Sequence, residues 1–246
     1  MTSPITLASE PLPAVPRVPA PWALRGHAWI VLVHLPRTSS ARTAFVPDAL
    51  RGSLRAPVSV LMCVEYTSAP CGPYREVLFV PGAMRFPDGR WHASISRILV
   101  STWDSVVNGR ANWGIPKERA DIEIDYGVDR ESVRVLDAAR ERCRIEFAPP
   151  RGPRLPLRTT WLPVGWSTLA QWHEGQVFYY RPQARGSLRP ARLLRWTFDA
   201  QWFPDLAEAT VLASMRVEDF TMEFPVAQVV AIEPDVGSSA GTPPIT

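Results

Sequence analysis

The chain contains a single lysine, Lys117, within the stretch GRANWGIPKERAD, whereas the other 26 of its 27 basic residues are arginine. Arginine supplies charge and forked hydrogen bonds, but it does not deprotonate at usable pH and it forms no imine with a carbonyl group. A GC-rich genome explains many arginines without explaining where the one lysine lies. The retention of an amine at this position therefore indicates a chemical role for Lys117.

The residues before the lysine are suited to shaping a pocket. Gly114 permits an unusual backbone angle, Pro116 stiffens the chain just before the amine, and Trp113 and Ile115 offer apolar walls. A lysine in an apolar pocket loses hydration of its ammonium, so its pKa falls and free amine becomes available to attack a ketone. The protonated imine can accept electrons during loss of CO₂ from a β-keto acid, aldol chemistry or elimination of water. The competing interpretation is an exposed loop lysine, which describes most lysines.

The composition places the chain among soluble globular proteins, since 46% of its 246 residues are hydrophobic and 21% are charged. The net charge of +3 is spread without blocks of like charge, so we expect no nucleic-acid partner. Three cysteines without a CxxC motif favour a reduced, cytoplasmic protein. No signal-peptide pattern occurs, and no apolar run approaches the roughly 20 residues of a membrane helix, so we expect no membrane partner.

The hydrophobic pattern predicts a mainly β (α+β) fold. Short apolar or alternating segments recur between Pro, Gly, Asp and Asn turns, and the 26 prolines disfavour long helices. We expect a closed or cone-like antiparallel β-barrel with a few short helices. Clear examples of such segments are HAWIVLVHL, APVSVLMCVEY, YREVLFVPG, WHASISRILV, ADIEIDYG and SMRVEDFTMEF.

One segment, STWDSVVNGR, predicts a helix. Ser101 or Thr102 is suited to cap its start, Asp104 to its first turn, and Gly109 to its C-terminal end. WSTLAQW predicts a second, shorter helix. For the domain organisation we expect a Pro-rich extended arm over residues 1–20, a single domain over 21–235 and a disordered tail over 236–246.

Two motifs carry a resemblance to a known family. NGRANWGIPK resembles the signature of the acetoacetate decarboxylase superfamily, a Gly-Arg-x-x-Trp-Gly-(aromatic or aliphatic)-Pro-Lys run that carries a Schiff-base lysine. GPYREVLFVPG resembles the Tyr-x-Glu strand of that family, whose glutamate lies in the active site. The similarity is strong over about residues 70–125, while LRPARLLRW and a late FPV fit the family's second half only loosely.

The resemblance implies roles for particular residues. Lys117 would be the imine-forming amine, and Glu76 the catalytic carboxylate that handles protons or positions substrate. Arg110 would either hold the lysine loop or bind a carboxylate. No metal or organic cofactor would be needed, and the protein would form a homo-oligomer. The residues expected to contact substrate are Arg110, Trp113, Tyr74 and Arg25, with Glu65 as a candidate for a further family glutamate.

The chain departs from the family at the residue after the lysine. Acetoacetate decarboxylases carry a second lysine there, and this chain carries Glu118. A glutamate close to Lys117 would stabilise its ammonium, although adjacent side chains often point apart. The resemblance therefore implies an enzyme that binds a keto-acid or β-keto substrate on Lys117 for decarboxylation or a related aldol or dehydration step, in keeping with specialised metabolism. The alternatives are a non-covalent cyclase or isomerase of a polyketide-like substrate, and a non-catalytic barrel that binds an apolar ligand.

Overall fold

The computed structural model describes residues 12–232, which form seventeen strands and five short helices. The α-helices are α1 (Trp103–Trp113) and α2 (Val164–Ser167), and the 3₁₀ helices span Ser40–Arg42, Asp48–Ser53 and Thr159–Trp161. The strands are β1 (Trp22–His34), β2 (Ser59–Ser68), β3 (Tyr74–Val80), β4 (Ala83–Arg85), β5 (Trp91–Ala93), β6 (Arg97–Val100), β7 (Lys117–Arg119), β8 (Asp121–Tyr126), β9 (Glu131–Asp137), β10 (Arg140–Phe147), β11 (Leu155–Arg158), β12 (Leu169–His173), β13 (Gln176–Tyr180), β14 (Gln183–Pro190), β15 (Leu193–Phe198), β16 (Thr210–Phe224) and β17 (Gln228–Ala231).

The strands assemble into three sheets. The largest has eight strands in the order β11-β14-β16-β1-β2-β3-β6-β7, and the others follow the orders β15-β10-β9-β8 and β17-β13-β12-β5-β4. Pairing is antiparallel except for β6 with β7 and β5 with β12. The prediction of a mainly β fold with few helices is confirmed. The closed barrel is not confirmed, because each sheet ends in two different edge strands and none closes on itself within residues 12–232.

The central strands of the eight-stranded sheet have buried side chains on both faces. On one face, Trp29 and Val31 of β1 pack with Val133 and Ile145 of the four-stranded sheet. Its other face packs against α1 and the five-stranded sheet through Leu24, Leu78 and Ile98 of the large sheet and Val106, Trp113 and Phe178 of its neighbours. Because successive strand residues point to opposite faces, β1, β2, β3 and β6 each contribute to two separate cores.

Helix α1 begins as predicted and ends later than predicted. Thr102 is the N-cap, with its side chain accepting a hydrogen bond from the backbone N–H of Ser105. Gly109 does not end the helix, which continues to Trp113 and terminates at Gly114 in the left-handed conformation at φ +61°. Gly114 fits because a left-handed C-terminal residue satisfies the last carbonyls at no steric cost to glycine.

The described part of the N-terminal arm packs along α1. Backbone N–H of Val18 donates to Oδ1 of Asn108 at 2.7 Å, and Nδ2 of Asn108 donates to the carbonyl of Pro16 at 3.0 Å. Nδ2 of Asn112 donates to the carbonyl of Val18 at 2.8 Å. Two asparagines of the lysine-containing motif thus hold the arm on the helix. Residues 1–11 of the predicted arm and the predicted tail at 236–246 lie outside the described residues. Over residues 12–232, no helix is long and apolar enough to cross a bilayer.

Candidate active site

A cavity of about 340 Å³ lies between the eight-stranded sheet, α1 and the five-stranded sheet. Of its 22 lining residues, sixteen are apolar and only Glu76 and Lys117 carry charge. Ligand sites are commonly mostly apolar with a few converging polar groups, and this volume lies at the lower end of their usual range of about 300–1,000 Å³. The cavity is therefore suited to one small, largely apolar molecule.

Lys117 extends from β7 into the polar end of this cavity. The residue is 3% exposed, and its Nζ atom lies 3.2 Å from Oε2 of Glu76 and 3.0 Å from Oγ of Ser105. The Nζ atom also lies 3.4 Å from the hydroxyl of Tyr74. A buried ammonium requires a counter-charge and hydrogen-bond partners, and this site supplies both. The interpretation of Lys117 as an exposed loop lysine is wrong.

Glu76 lies beside the lysine and a pair of tyrosines whose rings are tilted against each other. Strand pairing sets Tyr66 of β2 opposite Tyr74 of β3, with ring centroids 4.5 Å apart, and the Tyr66 hydroxyl lies 3.4 Å from Oε1 of Glu76. Burial, reinforced by the charge of Glu76, raises the pKa of both phenols well above their usual range. At neutral pH the phenols are therefore neutral donors beside a carboxylate.

The motif glycine of α1 makes room for the lysine side chain. A Cβ added at Gly109 would lie 2.6 Å from Cδ and 2.9 Å from Cε of Lys117, so any larger residue would press on the lysine. Arg110 acts on the lysine backbone, since its Nε donates to the carbonyl oxygen of Lys117 at 2.8 Å. Of the two roles considered for Arg110, holding the lysine loop is the one that this contact supports.

Glu118 does not approach the amine. It points to the opposite face of β7, where its Oε2 lies 2.6 Å from Nη1 of Arg97. Strand pairing explains this, because Lys117 lies beside Ile98 on the cavity face while Glu118 lies beside Leu99 in the other core. The residue that replaces the family's second lysine is thus a structural partner of Arg97.

Two predicted substrate contacts remain, Trp113 and Arg25, and only Trp113 lines the cavity. Trp113 lines it, with its ring edge-on to Trp22 and its Nε1 donating to the carbonyl of Pro225 at 2.7 Å. Arg25 is not in the cavity. Its side chain is exposed on the face of β1 opposite to Leu24, which lines the cavity, so the expectation that Arg25 contacts the same substrate is wrong.

Glu65 also lies away from the cavity. Its carboxylate accepts hydrogen bonds from Nε of Arg75 at 3.0 Å and from the hydroxyl of Tyr126. It therefore takes no part in the arrangement around Lys117.

Two residues of the site escaped the sequence analysis. Ser105 lies one helical turn before Gly109, on the side of α1 that faces Lys117, and its i, i+4 spacing from Gly109 is the signal that could have indicated it. Tyr66 could be found only from the pairing of β2 with β3. Among residues 12–232, no group of three or more His, Cys, Asp or Glu side chains could hold a metal ion.

Comparison with known proteins identifies the fold. No protein-family model and no curated protein sequence matches the chain. Solved structures do match. An acetoacetate decarboxylase from Legionella pneumophila has a TM-score of 0.60 at 15% identity, covering 91% of this chain and 93% of that one. An acetoacetate decarboxylase-like enzyme from Sphingomonas wittichii RW1 has a TM-score of 0.63 at 11% identity, covering 88% and 95%.

A third match is the enduracididine biosynthesis enzyme MppR complexed with pyruvate, with a TM-score of 0.58 at 15% identity over 93% of this chain and 98% of that one. Another structure of MppR holds the condensation product of pyruvate and imidazole 4-carboxaldehyde. The chain therefore has the fold of acetoacetate decarboxylase and of acetoacetate decarboxylase-like enzymes. At these identities the likeness shows the fold, and the chemistry must be argued from the cavity.

Proposed function

We propose that the protein is an enzyme that binds a carbonyl substrate as an imine on Lys117. The observation that carries this proposal is a lone lysine, 3% exposed, whose amine lies 3.2 Å from a buried carboxylate at the polar end of an apolar cavity. A shared fold with enzymes, two of them decarboxylase-like and one crystallised with a keto acid, supports the same interpretation.

Glu76 is suited to move the proton that imine formation requires. The Lys117 ammonium passes one proton to Oε2 of Glu76, and the free amine attacks the carbonyl carbon to give a carbinolamine. Glu76 returns the proton to the carbinolamine hydroxyl, which leaves as water, and the iminium remains beside the carboxylate. The balance is one ammonium and one carbonyl converted to one iminium and one water.

The iminium is the electron sink for the next step. Loss of CO₂ from a β-keto substrate or loss of a proton from the α-carbon both give an enamine, which then takes a proton or attacks a second carbonyl. The Tyr66 and Tyr74 hydroxyls, held neutral by burial and by Glu76, are suited to donate hydrogen bonds to the departing oxygen. Decarboxylation, aldol addition and dehydration all share this enamine.

Borohydride trapping tests the proposal directly. The folded protein is incubated with acetoacetate, pyruvate and longer ketones, reduced, and digested for peptide mass analysis. We expect a stable adduct on the peptide that contains Lys117, and none with Lys117→Arg, whose guanidinium forms no imine. The chain offers one competing amine, the α-amino group, whose peptide is read in the same spectrum. A folded protein without any adduct would refute the imine and leave non-covalent cyclisation or apolar-ligand binding.

A further inference from the structure

The charged side chains that line the cavity indicate which kind of substrate it accepts. The cavity holds one positive and one negative side chain, Lys117 and Glu76, and these form an ion pair with each other. No other lysine, arginine, aspartate or glutamate lines it among residues 12–232. All 27 lysine and arginine residues of the sequence fall within that range, so none of them lies in the undescribed segments.

Three arginines near the lysine motif are directed elsewhere. Arg97 pairs with Glu118 on the opposite face of the sheet, and Arg110 donates to the lysine carbonyl. Arg75 donates to Glu65 and to the carbonyl of Ile122. No guanidinium thus lines the cavity to receive a substrate carboxylate, although Nε of Arg181 donates to Oγ of the lining residue Ser167 at 2.8 Å.

A substrate carboxylate would therefore be left without a partner. With a neutral carbonyl compound, the cavity is electrically neutral before imine formation, as ammonium and carboxylate, and after it, as iminium and carboxylate. With a keto acid, either two carboxylates share one cation or one of them must be protonated. An uncompensated charge buried against apolar walls is strongly unfavourable.

The rest of the lining suits a hydrocarbon body. The walls beyond the polar end are built from Leu, Ile, Val, Met and Trp side chains such as Leu24, Met62, Ile98 and Trp113. Burial of apolar surface on such walls contributes about 25 cal/mol per Å². A two- or three-carbon chain would leave most of the 340 Å³ unfilled.

We infer that the substrate is a neutral ketone or aldehyde with an extended apolar body, not a short keto acid. This inference rests on the proposed imine on Lys117 and narrows the class of carbonyl compound that would form it. A neutral carbonyl compound has no carboxylate to lose, so the enamine forms in one of two ways. Loss of an α-proton to Glu76 leads to aldol addition or to dehydration of a β-hydroxy compound, whereas in retro-aldol cleavage Glu76 takes the β-hydroxyl proton and the Cα–Cβ bond breaks to release an aldehyde or ketone.

Matched carbonyl compounds test the inference on the wild-type protein. Borohydride adducts on Lys117 are quantified at equal concentration for 3-oxooctanoate, its methyl ester, 2-heptanone, acetone and acetoacetate. We expect the ester and 2-heptanone to label at least about tenfold more than 3-oxooctanoate, because the acid buries an unpaired charge. We expect 2-heptanone to label more than acetone, because it buries more apolar surface.

The outcomes separate the two proposals. Labelling by 3-oxooctanoate or acetoacetate equal to or above that of the neutral compounds would overturn the neutral-substrate inference and leave the imine intact. Absence of every adduct in a folded protein would overturn the imine itself. In that case, calorimetry with 3-hydroxyoctanoate and its methyl ester, which form no imine, still measures whether the cavity prefers a neutral or a charged ligand. Tighter binding of the acid than of the ester would overturn the neutral-substrate inference.

Discussion

Lys117 and Glu118 are neighbours in the chain, yet their side chains lie in two different cores. The amine of Lys117 faces Glu76 in the cavity, and the carboxylate of Glu118 lies 2.6 Å from Arg97 behind the sheet. Both pairs are almost fully buried. The residue after the lysine therefore stabilises the sheet and does not act on the amine, which makes the departure from the family signature compatible with imine chemistry.

Placing a lysine at position 118 should damage the fold without helping the site. In Glu118→Lys, the new ammonium would lie buried against the Arg97 guanidinium, and neither cation would have a counter-charge. We therefore expect the free energy of unfolding to fall by about 3–5 kcal/mol or more. Glu118→Gln is the matched control, since it leaves Arg97 without a counter-charge but adds no new one and should lose less. Urea denaturation measures both, and borohydride labelling of the folded fraction should remain at the wild-type level. Faster labelling in Glu118→Lys would contradict the separation of the two cores.

Gly109→Ala should slow labelling of the lysine. Alanine in a helix interior is more favourable than glycine by roughly 0.5–1 kcal/mol, which offsets part of the cost of disturbing the buried Lys117–Glu76 pair, so the labelling rate is normalised to the folded fraction. The added methyl would lie 2.6 Å from Cδ of Lys117 and would displace the amine. A misplacement of about 1 Å can cost around 10²-fold in rate, so we expect labelling to fall by that order.

The control for this variant is Gly52→Ala. Gly52 lies in a 3₁₀ helix, and a Cβ added there meets nothing within 4 Å. Its labelling rate should match that of the wild type. If Lys117 were labelled as fast in Gly109→Ala as in this control, α1 would not hold the lysine side chain in place.

The sequence predicted the residues at the polar end of the cavity better than its walls. The fixed order of Gly, Trp, Pro and Lys indicated Lys117, and the resemblance of GPYREVLFVPG to a Tyr-x-Glu strand of acetoacetate decarboxylases indicated Tyr74 and Glu76, which alternation places on one face of β3. The structure brings all three together. Thr102 was also predicted as a helix cap, because its hydroxyl lies at the right offset from the first turn.

The failures have a physical cause in strands that are buried on both faces. In β1, Trp22 and Leu24 belong to one core and Trp29 and Val31 to the other, so the alternation of apolar residues does not tell which face meets the cavity. Arg25, which the resemblance indicated, lies on the face of β1 opposite to the cavity. Sheet closure depends on which edge strands pair, and the hydrophobic pattern of single strands carries no information about edges.

Glu76→Gln should slow imine formation strongly. The amide keeps the shape of the side chain but cannot accept the lysine proton, and loss of general acid–base help costs about 10²–10⁴-fold. The rate of borohydride labelling with 2-heptanone measures this, normalised to the folded fraction because the Lys117 ammonium loses its buried partner. Glu65→Gln is the matched control on the same sheet, since Glu65 pairs with Arg75 outside the cavity. Equal rates in the two variants would remove Glu76 from the mechanism.

Alkaline pH should destabilise the protein through its tyrosines. Burial, followed by the charge of Glu76, raises the pKa of Tyr66 and Tyr74 well above their usual range, and burial, followed by a hydrogen bond to Glu65, raises the pKa of Tyr126 to about 12. In the unfolded chain these phenols ionise near pH 10. Stability is therefore fully present below about pH 10 and is lost as the pH rises above it, by up to about 1.4 kcal/mol per pH unit for each of the buried phenols of Tyr66 and Tyr74. Tyr126 is 47% exposed and contributes less, because solvent screens its charge.

Urea denaturation across the alkaline range, with tyrosinate absorbance recorded in parallel, measures this effect. We expect no tyrosine of the folded protein to ionise at the ordinary phenol pKa of about 10. Tyr66 and Tyr74 should ionise only as the protein unfolds. Tyr66→Phe removes one phenol that ionises only on unfolding, so its stability should fall less steeply with pH than that of the wild type. An unchanged slope in Tyr66→Phe would mean that the Tyr66 hydroxyl is not shielded from solvent, and with it that the polar end of the cavity is open to water.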